Sequence, residues 1–198
     1  MSRNQSRRPA VRRVRSTVLA AVTAVAVPVC AVACSPIAAA PLVGQRGPVG
    51  VADGVVADGT SVFADVPAVA NLDRRLLASL RDAADEAADD GVELDVNSGW
   101  RSERYQEQLF EEAAAKYGSE DEAERWVARP GTSVHEAGDA VDIGPTSAMS
   151  WLSRHGASFG LCQVYGNEPW HFERRPDAVS DGCPAPYADP TDDPRMRR

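Results

Sequence analysis

The chain is poor in several things, and each shortage narrows what it can be. Only three histidines and four cysteines occur in 198 residues, so a site needing imidazole or thiolate has few places to come from. No apolar run reaches the roughly 20 residues of a spanning helix, and the best one, Val18 to Ala33, is interrupted by Pro28. Positive charge is also short, with 21 Lys and Arg against 29 Asp and Glu. No internal repeat is present.

Six of the arginines crowd ahead of that apolar run, at Arg3, Arg7, Arg8, Arg12, Arg13 and Arg15, and small residues follow it. A basic region, an apolar region and a small-residue cleavage zone read as an export signal over residues 1–34, with an uncleaved anchor as the alternative. Ala31-Val32-Ala33-Cys34 resembles a lipobox, which would lipidate Cys34 and attach the protein to a membrane, while Ala31-x-Ala33 also suits an ordinary signal peptidase. Removing these residues takes away six positive charges and no negative one, moving the formal charge from −8 to −14. So acidic a protein is no partner for nucleic acid, because phosphate binding needs clustered Lys and Arg. Two cysteines then remain, Cys162 and Cys183, and in an exported protein they are expected to form a disulfide, with free thiols as the alternative.

Residues 35–69, rich in Ala, Val, Gly, Pro and Asp, read as a flexible tether, with a short strand conceivable at Ser61–Ala64. Residues 70–185 read as one domain, with an irregular tail over 186–198. The helical period of Leu72, Leu76, Leu77, Leu80, Ala83, Ala84 and Ala87 predicts a helix capped by Asn71 and ended by Gly91. Val92–Val96 alternates as a strand and delivers Ser98-Gly99-Trp100-Arg101-Ser102 to its end. Ser102 caps a further helix that stops at Gly118, and a short helix is expected through Ala123–Val127. A helix holding Met149, Trp151 and Leu152, then a strand at Leu161–Tyr165, complete the outline.

Two segments carry the chemistry. The first runs from Ser133 to Asp142 and holds His135 and Asp142 seven residues apart. On an unbroken helix that spacing separates them by about 10 Å along the axis, and on an unbroken strand it puts them on opposite faces. The chain must therefore turn, and Gly138 is the residue best able to let it. The second is Glu168-Pro169-Trp170-His171, where Pro169 disfavours helix and His171 can point inward from a strand.

Two imidazoles and one carboxylate, with a fourth position for water, make a catalytic zinc arrangement, and Glu168 is the natural base beside it. Arg101 offers a fixed cation for an oxyanion, or else simply pairs with a carboxylate. Glu136, Asp139 and Glu173 compete as ligands, and structural roles for the histidines remain open. His155, inside a helical pattern, reads as a surface or packing histidine.

Ser-x-His-x-x-Gly-x-Ala-x-Asp at 133–142, Glu-Pro-Trp-His at 168–171 and Ser-Gly-Trp-Arg-Ser at 98–102 together resemble the VanY-type zinc D-alanyl-D-alanine carboxypeptidases. The resemblance covers about residues 70–175. It implies a small single α+β domain with a central antiparallel sheet, shared with the hedgehog signalling domain, flanked by helices and carrying one Zn2+. It also implies His135, Asp142 and His171 as ligands, Glu168 as general base and Arg101 at the oxyanion. Gln106 and Ser133 would hold the substrate's terminus, and Trp100, where tyrosine is frequent, would shape a subsite. The implied substrate is a peptidoglycan stem peptide ending in D-Ala-D-Ala, cut by a monomer. Relatives of this fold that act as dipeptidases, L,D-carboxypeptidases or endopeptidases, and a module that only binds wall peptide, are the alternatives.

Overall fold

The computed structural model describes residues 47–196. The export signal, Cys34 and the first part of the expected tether lie outside those residues.

Four short strands build the sheet that positions the site: β1 (Asp95–Ser98), β2 (Ala140–Gly144), β3 (Leu161–Gln163) and β4 (His171–Arg174). They run antiparallel in the order β1-β2-β4-β3. Successive side chains on a strand point to opposite faces. Val141, Ile143, Phe172 and Leu161 therefore enter the hydrophobic core, while their neighbours Asp142, His171 and Glu173 sit on the other face. Register then places Asp142 directly opposite His171.

Among the described residues seven α-helices accompany the sheet: α1 (Pro67–Ala70), α2 (Arg74–Asp89), α3 (Glu103–Tyr117), α4 (Glu120–Ala123), α5 (Val134–Ala137), α6 (Thr146–His155) and α7 (Ala178–Asp181). On α2, Leu76, Leu80, Ala83 and Ala87 recur at helical spacing and join Trp151 and Leu152 of α6 in the core. Burying each of the larger of these side chains stabilises the fold by about 1.5–3 kcal/mol. The Trp151 indole satisfies its N–H by donating to Asp90, and His155 stacks on its ring at 4.6 Å, which selects packing from its two expected roles. A smaller cluster of Phe110, Ala113 and Ala123 joins α3 to α4. The α+β class with an antiparallel sheet is thus as expected.

Several boundaries differ from the sequence reading, each for a local reason. Asn71 does not cap α2. It ends α1, and Asp73 accepts from the Arg75 and Leu76 amides instead. The strand expected at Val92–Val96 lies later, at Asp95–Ser98, because the Val92 amide closes the end of α2 on the Ala87 carbonyl. Ser119 caps α4, which ends at Ala123 where the expected Ala123–Val127 helix would begin. Ser102 and Gly118 bound α3 as expected.

Residues 47–69 are more ordered than a tether. Val62 and Val69 belong to the core, and Ser61 bridges to Asp95. The tail over 186–196 is also built rather than irregular. The Cys162–Cys183 disulfide is formed, Tyr187 bridges to Tyr165, and short 3-10 turns span Pro190–Asp192 and Pro194–Met196. Its aspartates make turns: Asp189 accepts from the Thr191 amide and Asp193 from the Arg195 amide.

Gly138 ends α5 at φ 76°, and a Cβ there would stand 2.4 Å from the Asn71 carbonyl oxygen. Gly91 has a similar φ of 71° but open space around it. Gly138→Ala is expected to lower stability by clearly more than about 1 kcal/mol, and Gly91→Ala by less, in urea unfolding. Equal losses would mean that the close approach to Asn71 is unimportant.

Candidate metal centre

Three elements bring the polar cluster together. Asp142 and His171 face each other across β2 and β4, and His135 comes from α5, the single turn that precedes β2. The turn is set by a reciprocal pair of bonds, in which the Glu136 carboxylate accepts from the Ser133 amide at 3.3 Å and the Ser133 carbonyl accepts from the Glu136 amide at 3.1 Å. Gly138 then reverses the chain, so the seven-residue spacing is resolved by a helical turn followed by a strand.

Ring partners decide which nitrogens face inward. His135 Nδ1 lies 2.8 Å from the Gly99 carbonyl, which can only accept, so Nδ1 carries the hydrogen and Nε2 presents a lone pair. His171 Nε2 faces the Glu173 carboxylate at 3.5 Å, leaving Nδ1 as the inward atom. The distances are 3.3 Å from His135 Nε2 to His171 Nδ1, 3.2 Å from His171 Nδ1 to Asp142 Oδ1, and 3.4 Å from His135 Nε2 to Asp142 Oδ1. Ligands bonded at about 2.0–2.1 Å to a tetrahedral zinc stand about 3.3–3.4 Å apart, so the three atoms form one face of such a site. Among the described residues this is the one group of three that could hold a metal ion. The alternatives fall away: the Glu136 carboxylate accepts from the Gly131 and Ser133 amides, Asp139 is exposed, and Glu173 lies on the far side of His171.

The electrostatics favour a positive charge at the same place. His135, His171 and Asp142 are all buried. Burial pushes the His135 imidazole down, aided by Arg101 nearby. Burial also opposes charge on His171, but hydrogen bonds to Asp142 and Glu173 outweigh it and drive the metal-free imidazole up to about 9. Asp142 resists burial through His135, His171 and Arg101 and stays well below the usual carboxylate range. Three inward acceptor atoms need shared positive charge, from a proton or a cation.

Glu168, 6% exposed, places Oε2 3.6 Å from His171 Nδ1, while its Oε1 has no hydrogen-bond partner among the described residues. Burial pushes this carboxyl up to about 7, with Asp142 adding to the effect and His171 and Arg101 opposing it. A carboxyl so poised can exchange a proton near neutrality.

Arg101 lies just beyond β1 and is held on three sides, donating to Ser98 Oγ at 2.8 Å, Gln106 Oε1 at 3.1 Å and Asp142 Oδ2 at 2.9 Å. It therefore pairs with a carboxylate and also lines the cavity with Ser133, His135, Asp142, Glu168 and His171. Gln106 is fully buried; it holds Arg101 and donates to the Ala128 carbonyl, and it is not part of the cavity wall. Trp100 is also outside that wall. Trp170 of the second motif lines the cavity, and Leu109, Trp126, Tyr165, Pro190 and Met196 line it beyond what the motifs suggest. Leu109 sits one turn from Tyr105 on an apolar helix face, a signal that could have been followed. The tail residues carried none.

Residues 69–176 match the family model described as VanY: D-alanyl-D-alanine carboxypeptidase. A D-alanyl-D-alanine carboxypeptidase of Enterococcus faecalis is 35% identical over 126 residues, covering 51% of this chain and 47% of that protein. The chain thus spans about half the length of this curated relative. Among solved structures, VanYB in complex with D-alanine-D-alanine is 31% identical with a TM-score of 0.52, over 56% of this chain and 74% of that one. A vancomycin resistance D,D-pentapeptidase, a glutamate-to-alanine variant of VanY in complex with Zn(II), is 29% identical with a TM-score of 0.51, over 61% and 82%. The LD-carboxypeptidase LdcB is 25% identical with a TM-score of 0.51, over 64% and 70%.

Glu173 yields a test of the electrostatics. Burial opposes its charge, but bonds from His171 and Arg195 bring it down to about 2, from an ordinary 4.5. Its contribution is full above about pH 4.5 and is lost as pH falls toward 2. In chelator-treated protein, urea midpoints are expected to drop through this window, and to drop less in Glu173→Gln. An equal fall in both would remove Glu173 from the account.

Proposed function

The chain belongs to the VanY family of D-alanyl-D-alanine carboxypeptidases, and from that premise we propose that it is an exported, zinc-dependent D,D-carboxypeptidase. It removes the last D-alanine from peptidoglycan stem peptides. The observation that carries this reading is the convergence of His135 Nε2, Asp142 Oδ1 and His171 Nδ1 beside a buried glutamate with a free oxygen. A peptide-binding module has no use for that glutamate.

Bound zinc, one per chain, supplies an acidified water and a Lewis acid for the scissile carbonyl. Glu168 takes a proton from the attacking water and passes it to the departing amine as the peptide C–N bond breaks. The terminal D-alanine leaves as a free amino acid and the shortened stem keeps the new carboxylate. Three of Arg101's five donors are fixed by Ser98, Gln106 and Asp142, and the remaining two serve the developing oxyanion. Gln106 acts by holding that guanidinium in place. Ser133, on the cavity wall, contributes to holding the peptide's end.

The signal read over residues 1–34 supports action outside the cytoplasm, with the protein either lipidated at Cys34 or freely secreted. A second reading, L,D-carboxypeptidase activity, draws on the likeness to LdcB.

Glu168→Gln is expected to retain stoichiometric zinc while hydrolysis of a D-Ala-D-Ala stem peptide falls by about 100-fold or more. Wild-type turnover in that variant would remove Glu168 as the base. Mass spectrometry of products from defined stem peptides should show loss of a single D-alanine, abolished by chelator and restored by zinc. Loss of a dipeptide, or cleavage only of tetrapeptide stems, would replace the D,D-carboxypeptidase reading.

A further inference from the structure

His171 is supported from two sides, and both supports are gripped by one short stretch of the tail. On one side Glu173 places Oε1 3.5 Å from Nε2. On the other, the Tyr165 ring lies 4.9 Å from the imidazole, centroid to centroid. Arg195 meets Glu173 with a two-pronged fork, Nη1 to Oε2 at 2.7 Å and Nη2 to Oε1 at 2.9 Å. Asp193, wholly buried, accepts from the Tyr165 hydroxyl at 3.1 Å and from Arg195 Nε at 3.0 Å. Asp193 and Arg195 lie beyond the 69–176 stretch that the family model matches.

We propose that Arg195 is a positioning residue for the metal centre, acting through Glu173 to hold His171 with Nδ1 turned toward Asp142 and His135. The inference rests on the zinc peptidase reading above. Glu173 is 2% exposed, and a carboxylate that deep is costly unless it is paired. A fork bonded to both oxygens fixes the carboxylate plane as well as its charge, so Oε1 stays on the His171 side. An outer carboxylate on a ligating imidazole fixes the ring and makes it a better donor. Arg175 also reaches Oε2, at 3.1 Å, but it touches one oxygen only. It can neutralise the carboxylate without orienting it. Asp193 in turn holds the Arg195 fork in position.

The test measures zinc affinity of the full chain by competition with a chromophoric chelator, so it does not depend on turnover. Arg195→Ala, with circular dichroism unchanged, is expected to weaken zinc binding by about 10–100-fold. Arg195→Lys keeps the charge but cannot fork, and should fall between the two, while Arg175→Ala stays within about threefold of wild type. In a Glu173→Gln background, Arg195→Ala should add less than about twofold, since its route is already cut. Wild-type affinity in Arg195→Ala, or an equal loss with and without Glu173, would overturn the proposal. If Arg195→Ala does not fold, wild-type affinity in Arg195→Lys overturns it. Wild-type protein that binds no zinc would end both this proposal and the peptidase reading, whereas zinc-binding wild type with an unaffected Arg195→Ala ends this one alone.

Discussion

Two imidazole nitrogens and a carboxylate oxygen meet inside this fold with their lone pairs turned toward one another. Alone, that arrangement is repulsive, and the surrounding structure exists to enforce it. The Gly99 carbonyl fixes the His135 ring, Glu173 fixes the His171 ring, and Arg101 steadies Asp142. Each inward acceptor is thus held by an outward bond, and the site's demand for positive charge follows from the way the backbone places it.

The sheet is what makes this enforceable. On β2 and β4 a residue facing the core alternates with one facing the site, so Val141 and Ile143 anchor Asp142, and Phe172 anchors both His171 and Glu173. A shift of pairing by one residue would put the carboxylates into the core and the aliphatic side chains into the cavity. Hydrophobic burial therefore fixes the register on which the chemistry depends. The residues themselves come from separate parts of the chain, Arg101 to His171, and meet only when β1, β2 and β4 pair.

The centre was legible in the sequence because its requirements are local and restrictive. His135 and Asp142 could share an ion only if the chain turned between them, and Gly138 marked where. Pro169 likewise set Glu168 apart from the strand that carries His171. The supports were harder to see. The resemblance implied Gln106 as a substrate contact, and a motif position cannot tell a residue facing the cavity from one behind Arg101. Residues 47–69 and 186–196 looked loose because Pro, Gly and Asp have the same composition whether they solvate a chain or cap turns. Only the partners of Val62, Asp193 and Arg195 distinguish the two, and those partners are far away in sequence.

The disulfide and the tail also bear on how the protein behaves among its own copies. β3 is an outer strand, and such a strand presents unpaired backbone groups to any neighbouring chain. Here the tail occupies that margin: Tyr187 donates to the Val164 carbonyl and accepts from the Gly166 amide, while the Cys183 sulfur lies 3.5 Å from the Leu161 carbonyl. The Cys162–Cys183 bond thus ties a cover over the sheet's open side. A chain that has folded its sheet but not yet oxidised these cysteines would be the form most prone to aggregate.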